Sequence, residues 1–335
     1  MASTLAPCSN AALAAGPAGR PVAIAHRGAC GYLPEHSLEA KAMAHAMGVA
    51  FLEQDVVLTR DGVPIVIHDH YLDTVTDVAR LYPDRKRKDG RYYAIDFDLT
   101  EIRRLTLHER TDLDTGTQVY AGRFPAATTI PFRVPTLEEE IQLVKGLNKS
   151  TGRNVGLYVE LKAPWFHRAE GKDMAKIVLG VLAAHGYDRR ESNIYIQCFD
   201  PRCLRRMRQI MRSPLRQVQL IGHNDWRETP GVDHEKMLTK EGLVSIARYA
   251  DGIGLAIDQL LSLRQGRVVM RHDIVGWAHD AGLAIHPYTF RVDALPGGVT
   301  PDALLDALFV GLRVDGLFTD FPDTVVRYLE RRFPR

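Results

Sequence analysis

The sequence predicts an α/β fold, a (β/α)8 TIM barrel with a small insertion after the second strand. Short apolar runs alternate with amphipathic segments eight times along the chain, which favours a barrel over an open sheet. The apolar runs are flanked by Gly or polar residues, as is typical of strands buried on both faces of a parallel sheet. Removing an N-terminal segment of 20 residues and an insertion of 67 from the 335 of the chain leaves 248, about one standard barrel.

The alternation is regular enough to assign each element. The predicted strands are Val22–His26, Phe51–Leu58, Gly156–Leu161, Asn193–Cys198, Gln217–Ile221, Gly252–Leu255, Ala284–Pro287 and Gly316–Thr319. The predicted helices are Leu38–Met47, Leu137–Asn148, Met174–His185, Arg202–Met211, Lys240–Tyr249, Val268–Ala281, Pro301–Val310 and Thr324–Arg331.

Two segments fall outside this alternation. Residues 1–20 are rich in Ala, Gly, Ser and Pro without apolar periodicity, so we expect a flexible N-terminal segment before a barrel that spans residues 21–335. From residue 69 to residue 135 the chain has few strand-like runs and many Tyr, Asp, Arg and Thr residues. A structureless loop of that length is unusual inside a domain unless it is functional, and residues 69–135 are interpreted as a small inserted subdomain.

Composition excludes several classes of protein. Lys and Arg number 43 against 41 Asp and Glu, for a net charge of +2. A nucleic-acid-binding protein needs a concentrated basic surface, so no nucleic-acid partner is expected. No run approaches the roughly 18 consecutive apolar residues of a membrane-spanning helix, so stable membrane insertion is not expected either.

The four cysteines, Cys8, Cys30, Cys198 and Cys203, lack the CxxC spacing of a zinc site. Buried free thiols are the favoured interpretation. The alternative is one or two disulfides in an exported protein, with three pairings open.

Carboxylates stand at the predicted carboxyl ends of successive strands, where the active site of a barrel lies. Glu53 and Asp55 are two residues apart on one strand, which places both side chains on the same face, and Glu160 ends the next barrel strand. Three carboxylates in one mouth repel each other unless one is protonated or a cation lies between them. A hard divalent ion such as Ca²⁺ or Mg²⁺ fits these ligands better than zinc. The alternative to a metal site is a structural ion network in which Glu53 pairs with Arg27 and Asp55 pairs with Lys162.

Two histidines and two cations complete the predicted site. His26 and His68 end separate strand segments and would flank a carboxylate-bound metal as a general acid and a general base. Arg27 and Lys162 suit phosphate oxygens, Arg by a two-pronged hydrogen bond and Lys as a point charge. The combination predicts metal-assisted hydrolysis of a phosphodiester. Later strand ends add three candidates for a substrate pocket: Gln197, His286 and Tyr288.

Several short motifs follow one another in order along the predicted barrel. They are His26-Arg27-Gly28 with Pro34-Glu35, Glu53-x-Asp55, Thr59-x-Asp61-Gly62, His68-Asp69, Glu160-x-Lys162 and the closing Phe318-Thr319-Asp320-Phe321-Pro322. The first tripeptide alone is a weak signal, but the ordered set resembles the glycerophosphodiester phosphodiesterase family across nearly the whole barrel. The long insertion, with Arg87-Lys88-Asp89-Gly90-Arg91-Tyr92-Tyr93, and His286-Pro287-Tyr288-Thr289 resemble its bacterial periplasmic branch.

The resemblance implies roles for the residues already singled out: one divalent cation, with Ca²⁺ favoured over Mg²⁺, on Glu53, Asp55 and Glu160, acid–base catalysis by His26 and His68, and phosphate binding by Arg27 and Lys162. The chain departs from the family pattern twice. His36-Ser37 stands where many members have Asn-Thr, and Ser37 can still cap the following helix. Cys198 stands where many relatives have Ser, and as the next residue in a strand it should face away from Gln197.

The resulting hypothesis is hydrolysis of a glycerophosphodiester to sn-glycerol 3-phosphate and an alcohol, with a cyclic phosphate formed first by the neighbouring glycerol hydroxyl. His68 is favoured as the base and His26 as the acid. Two alternatives stay open: a phospholipase-type phosphodiesterase acting on lysophospholipid or inositol phospholipid, and a non-catalytic secreted binding protein on the same barrel. The resemblance also implies a periplasmic or secreted location, although residues 1–20 contain no intact signal peptide. The oligomeric state is left open, and an oligomer is compatible with the exposed insertion.

Overall fold

The computed structural model describes residues 19–264 and 267–334, and its strands follow the predicted order closely. The predicted flexible segment 1–20 lies almost entirely outside the described residues, as does Cys8. The strands are β1 (Val22–Ala25), β2 (Phe51–Leu58), β3 (Pro64–Val66), β4 (Gly156–Leu161), β5 (Ile194–Cys198), β6 (Arg216–Ile221), β7 (Gly252–Leu255), β8 (Leu261–Arg264), β9 (Arg267–Met270), β10 (Ala284–Ile285) and β11 (Gly316–Thr319).

Eight of these strands form one parallel sheet that curves into a barrel, which confirms the predicted fold class. Their order is β10-β7-β6-β5-β4-β2-β1-β11, so each barrel strand lies beside its predecessor in the chain. The two ends of this order meet: the Phe318 N–H donates to the Pro287 carbonyl at 3.0 Å, and Phe290 bridges Thr319 in parallel. All eight barrel strands coincide with predicted ones to within about two residues at either end.

Helices surround the barrel on its outer side. They are Leu38–Ala46, Leu137–Thr151, Pro164–Ala169, Met174–Ala184, Pro201–Gln209, His234–Met237, Lys240–Ile246, Ile257–Leu260, His272–Asp280, Pro301–Leu305 with a π-helical continuation Asp306–Leu312, and Pro322–Arg332. The main apolar core lies between these helices and the outward side chains of the strands. No helix among the described residues has the length and hydropathy of a membrane span.

The barrel interior is filled by a second, smaller apolar cluster that includes Ile24, Tyr158, Tyr195 and Phe318. Tyr158 stacks on Tyr195 and meets Phe318 edge-on, with ring centroids 4.9 Å apart in both pairs. This layer closes the barrel from below. Polar residues further along the same strands are therefore presented at the carboxyl ends.

The chain between β2 and the helix that begins at Leu137 is built onto the barrel. Strand β3 returns antiparallel along β2 as a hairpin. The segment that follows contains only short helices, which are the α-helices Val78–Leu81 and Leu99–Ile102 and the 3-10 helices Pro83–Arg85 and Ala94–Asp96. Its apolar side chains form their own cluster, which includes Phe97 and Phe132 and is shared with Val57 of β2. This shared cluster fixes the segment to the barrel wall beside the mouth.

One predicted helix begins later in the structure. The predicted helix Val268–Ala281 begins only at His272, because Arg267–Met270 pairs with β8 as an antiparallel hairpin. The β-branched pair Val268-Val269 favours this extended conformation. His68 follows the hairpin strand β3, a strand segment separate from that of His26, and the Ile67 N–H donates to the Asp55 carbonyl and fixes the neighbouring backbone.

The three cysteines among the described residues, Cys30, Cys198 and Cys203, are buried free thiols. Cys198 belongs to the outer core, on the opposite side of β5 from Gln197, as the strand alternation predicts.

A buried lysine joins the first helix to the strand that carries the candidate site. Lys41 is fully buried, pairs with Glu140 at 3.1 Å and donates a short hydrogen bond to the Glu53 carbonyl. Burial raises the pKa of Glu140 to about 7 although Lys41 opposes the shift. The Lys41 side chain thus forms an ion pair with one buried carboxyl group and a hydrogen bond with one buried backbone carbonyl.

We predict that Lys41→Met lowers the free energy of unfolding by about 3 kcal/mol, because both groups lose their buried partner. Urea unfolding measures the change. The exposed Lys149 provides the matched control, and Lys149→Met should change stability by less than about 0.5 kcal/mol. Equal effects of the two substitutions would contradict this account.

Candidate active site

Three buried carboxylates converge at the mouth of the barrel. Glu53 and Asp55 lie on β2 and Glu160 on β4, and the strand register places Asp55 directly beside Glu160. One oxygen of each carboxylate lies within 4.8 Å of the other two. All three residues are at most 4% exposed. The sequence spacing of Glu53 and Asp55 and the parallel pairing of β2 with β4 together produce this cluster.

Polar neighbours satisfy most of the carboxylate oxygens. Glu53 accepts from the Arg27 backbone N–H at 2.7 Å and from the Gln197 side-chain amide at 2.9 Å. Glu160 pairs with Lys162 at 2.9 Å. The Oδ1 atom of Asp55 has no hydrogen-bond partner among the described residues.

The cluster carries more negative charge than these neighbours neutralise. Burial, with Asp55 and Glu160 adding to it, raises the pKa of Glu53 well above its usual range. Burial also raises the pKa of Glu160 to about 8, with Asp55 adding to the effect and Lys162 opposing it. Such shifts mean that the site binds protons at neutral pH unless another cation takes their place. Buried oxygen ligands on two adjacent strands are the donor set that a hard divalent cation prefers.

His26 stands at one side of the carboxylate cluster. Its Nδ1 lies 2.6 Å from Oδ1 of Asp320, and its Nε2 lies 3.9 Å from Oε2 of Glu53. Because a carboxylate only accepts hydrogen bonds, Nδ1 carries a proton and Nε2 faces the mouth. Burial, followed by the charge of Arg27, lowers the pKa of His26 to about 4.

His68 stands at the other side with the same arrangement. Its Nδ1 lies 2.6 Å from Oδ1 of Asp69, and its Nε2 lies 3.3 Å from Nζ of Lys162. Burial, with Arg27 and Lys162 adding to it, lowers the pKa of His68. Burial alone would lower the pKa of Lys162, but Glu160 and other carboxylates raise it, so this ammonium is charged and donates to the imidazole.

Arg27 reaches the same mouth from the turn after β1. Its guanidinium pairs with Glu35 at 2.9 Å and lies 3.6 Å from Asp55. Arg27 has φ +56°, a left-handed conformation that is disfavoured for a residue with a side chain. The hydrogen bond from its backbone N–H to Glu53 holds this conformation and gives the turn two contacts with the site.

His36, where the family pattern has Asn, also contacts the cluster. It is fully buried, has φ +62°, and its Nε2 lies 2.8 Å from Oδ2 of Asp55. Burial, followed by the charge of Lys41, lowers the pKa of His36 to about 3, so the neutral ring donates Nε2–H to the carboxylate. Ser37 caps the next helix as predicted, accepting from the Ala40 N–H at 3.2 Å.

The three predicted pocket residues have different positions. Gln197 contacts Glu53 inside the mouth, and Tyr288 is partly buried beside Phe199 and Trp226, with its hydroxyl donating to the Ile221 carbonyl. His286 lies among the aromatic side chains of the barrel interior. It is fully buried below the mouth.

The position of His286 follows from the short strand that precedes it. Strand β10 ends at Ile285, so the next side chain still points into the barrel. Its Nδ1 lies 2.8 Å from the Tyr158 hydroxyl, and its ring meets Tyr195 edge-on.

Sequence reasoning missed the groups behind the two histidines. Asp69 and Asp320 were visible only as members of motifs, and nothing in their spacing indicates that each would hold an imidazole. Arg110 and Arg123, within the insertion, bond to these aspartates and had no signal at all. Arginines on a segment without periodicity cannot be assigned partners 41 and 197 residues away in the chain.

Fold and site together define a class: a (β/α)8-barrel phosphodiesterase in which a buried acidic cluster is flanked by two histidine–aspartate pairs. The particular family follows from sequence comparison. Residues 26–324 match the model of the glycerophosphoryl diester phosphodiesterase family, and the chain belongs to that family. The predictions of the family and of an enzyme are both confirmed.

Relatives match over most of their length. The chain is 43% identical to a glycerophosphodiester phosphodiesterase of Haemophilus influenzae, covering 92% of this chain and 90% of that protein. It is 37% identical to one of Treponema pallidum, covering 95% and 94%.

A solved structure with a lower sequence identity also confirms the fold. It comes from Silicibacter pomeroyi and is provisionally assigned as a glycerophosphoryl diester phosphodiesterase. It superposes with a TM-score of 0.71 at 24% sequence identity, and the match covers 97% of this chain and 98% of that one. An Oleispira antarctica phosphodiesterase solved with the product sn-glycerol-3-phosphate superposes with a TM-score of 0.62 at 20% identity, over 93% and 97%.

Proposed function

We propose that this enzyme hydrolyses glycerophosphodiesters to sn-glycerol 3-phosphate and an alcohol, using one divalent cation and the acid–base pair His26 and His68. One observation carries the proposal: each imidazole has its Nδ1 held by an aspartate, while Nε2 of His26 lies 3.9 Å from Glu53 and Nε2 of His68 lies 3.3 Å from Lys162, the partner of Glu160. The substrate class is supported by the relatives from Haemophilus influenzae and Treponema pallidum and by the product bound to the Oleispira antarctica protein.

The cation fits the residues at the mouth. Glu53, Asp55 and Glu160 would hold it, since their oxygens already converge and Oδ1 of Asp55 lacks a partner among the described residues. Oxygen ligands without sulfur favour a hard divalent cation such as Ca²⁺ or Mg²⁺, and the family resemblance implies Ca²⁺ rather than Mg²⁺. When bound, the cation would neutralise the carboxylates and the charge that develops on the phosphate oxygens. Arg27 and Lys162 would bind the remaining phosphate oxygens, Arg27 through its planar guanidinium.

His68 is the better candidate for the general base. With Nδ1–H donating to Asp69, its Nε2 keeps a lone pair, and burial with two neighbouring cations keeps the ring neutral. Substrate phosphate would draw Lys162 away from Nε2 and leave this lone pair to accept a proton from the attacking hydroxyl.

His26 is the better candidate for the general acid. Its Nε2 faces Glu53, and Asp320 stabilises a positive charge on the ring. Burial and Arg27 lower its pKa to about 4 in the free protein. The negative phosphodiester, bound next to the ring, acts in the opposite direction and favours the imidazolium that can protonate a leaving alkoxide.

The proposed reaction has two displacements. The glycerol hydroxyl next to the phosphate gives its proton to His68 and attacks phosphorus, while the leaving alcohol takes a proton from His26, which yields a cyclic phosphate. Water then opens the cyclic phosphate with the two roles exchanged: His26 removes the proton of water, and His68 returns a proton to the glycerol oxygen.

We predict that His26→Ala and His68→Ala each lower kcat on glycerophosphocholine by about 10²–10⁴, the usual loss of one catalytic acid or base. Release of glycerol 3-phosphate is measured with a coupled assay. The exposed His272 supplies a control, and His272→Ala should retain the parent rate. If both catalytic-site variants kept activity within about tenfold of the parent, the acid–base assignment would be wrong.

We predict that Ca²⁺ or Mg²⁺ raises the thermal midpoint of chelator-treated protein, because the cation binds only the folded state. At 100 times its dissociation constant a ligand contributes about 2.7 kcal/mol. Asp55→Asn should abolish both this shift and most activity. Asp114→Asn, at an exposed position of the insertion, should preserve both. A thermal shift that persists in the Asp55 variant would place the cation elsewhere.

A further inference from the structure

We propose that Arg110 and Arg123 are positioning residues for catalysis, through which the insertion fixes both histidine–aspartate pairs. The inference rests on the proposed acid–base function and adds a role for residues 69–135. Arg123 would orient the acid His26 through Asp320, and Arg110 would orient the base His68 through Asp69. Neither arginine needs to touch the substrate.

Arg123 locks the carboxylate behind His26. It donates from Nη2 to Oδ2 of Asp320 at 2.6 Å, while the other oxygen of Asp320 lies 2.6 Å from Nδ1 of His26. Its Nε donates to Asp293 at 2.9 Å, and the guanidinium lies 3.8 Å from the ring centroid of Tyr120. The Arg123 side chain is 4% exposed and that of Asp320 is 1% exposed, so the contact between these two is made away from solvent.

A second guanidinium approaches the same carboxylate from the barrel. Nε of Arg291 lies 2.9 Å from Oδ2 of Asp320, the oxygen that Arg123 also contacts. Arg123 belongs to the insertion, whereas Arg291 does not. The carboxylate of Asp320, one residue past β11, is thereby tied to a segment almost 200 residues earlier in the chain.

Arg110 holds the carboxylate behind His68 in the same way. It donates from Nη1 to Oδ2 of Asp69 at 2.7 Å and from Nη2 to Oε1 of Glu35 at 2.7 Å. The other oxygen of Asp69 contacts His68, and the other oxygen of Glu35 accepts from Arg27 at 2.9 Å. One guanidinium therefore links the base to the predicted phosphate-binding arginine.

Arginine suits this task because its donors form a rigid fork that can hold two carboxylates in one plane. Without the fork, Asp320 still contacts Arg291 and Asp69 still accepts from the Thr74 hydroxyl, but each carboxylate loses its donor from the arginine. The imidazole that it orients is then held less firmly in its direction toward the mouth. An imidazole displaced from its proton-transfer geometry loses rate even when substrate still binds. The expected defect is therefore in kcat. Which substrates show it depends on whether proton transfer to the leaving group or from the nucleophile is impaired.

Two substrates with different leaving groups distinguish the role of Arg123 from the role of Arg110. Single-turnover release of alcohol is measured with glycerophosphocholine, whose leaving alkoxide needs a proton, and with the 4-nitrophenyl phosphodiester of glycerol, whose phenolate leaves without one. Arg123→Met should slow release of choline by about tenfold or more and release of nitrophenol by less than about threefold. Arg110→Met should slow both by about tenfold or more, because both substrates need their nucleophile deprotonated.

Arg85→Met is the matched control, since Arg85 also belongs to the insertion and pairs with Glu101 away from the histidines. It should keep the parent rates on both substrates. Partial unfolding cannot imitate the Arg123 result, because it would slow both substrates equally. If a Met variant is unfolded at the assay temperature, the Arg→Lys variant replaces it with the same expectation, since lysine keeps the charge but lacks the fork.

Rates within about threefold of the parent for both arginine variants on both substrates would overturn the proposal. Equal losses on the two substrates in the Arg123 variant would overturn its link to the acid. Either result leaves the proposed function standing as long as the His26 and His68 variants are inactive. Active histidine variants would instead defeat the proposed function itself.

Discussion

Mutual repulsion among Glu53, Asp55 and Glu160 is the constraint on which the rest of the site depends. The strand register brings their carboxylates together in a buried mouth, where the pKa of Glu160 rises to about 8. Each neighbour supplies a donor or a positive charge: the Arg27 backbone, the His36 ring, the Gln197 amide, the Lys162 ammonium. The proposed divalent cation would neutralise the three carboxylates more fully than protons would, and it would keep them ionised as ligands.

The two histidines depend on parts of the chain that only the closed barrel brings together. His26 follows β1, but its aspartate follows β11, the last strand of the sheet. His68 follows a hairpin attached to β2, and Lys162, which contacts it, follows β4. The insertion then reaches both sides of the mouth. Barrel closure and the packing of the insertion against β2 are thus conditions for the site, beyond their contribution to stability.

The sequence predicted what depends on local pattern. Eight strands, the Glu53-x-Asp55 spacing and the Ser37 cap follow from periodicity or from neighbouring residues, and the ordered motifs led to the family. The contacts of Arg110 and Arg123 were not predictable, because they depend on how an aperiodic segment folds back on the barrel. The contacts of His286 with Tyr158 and Tyr195 were not predictable either, because sequence alone does not give the depth at which so short a strand ends. The predicted helix Val268–Ala281 included most of β9, since a short apolar run is compatible with either structure.

The most direct test of the account is to locate the cation. Crystals of the chelator-treated enzyme, soaked in Mn²⁺ as an anomalous scatterer for the native ion, would be measured at the manganese absorption edge. The account predicts one strong anomalous peak within about 2.6 Å of an oxygen from each of Glu53, Asp55 and Glu160. A peak at another group of residues, or no peak with the three carboxylates still in contact, would contradict it.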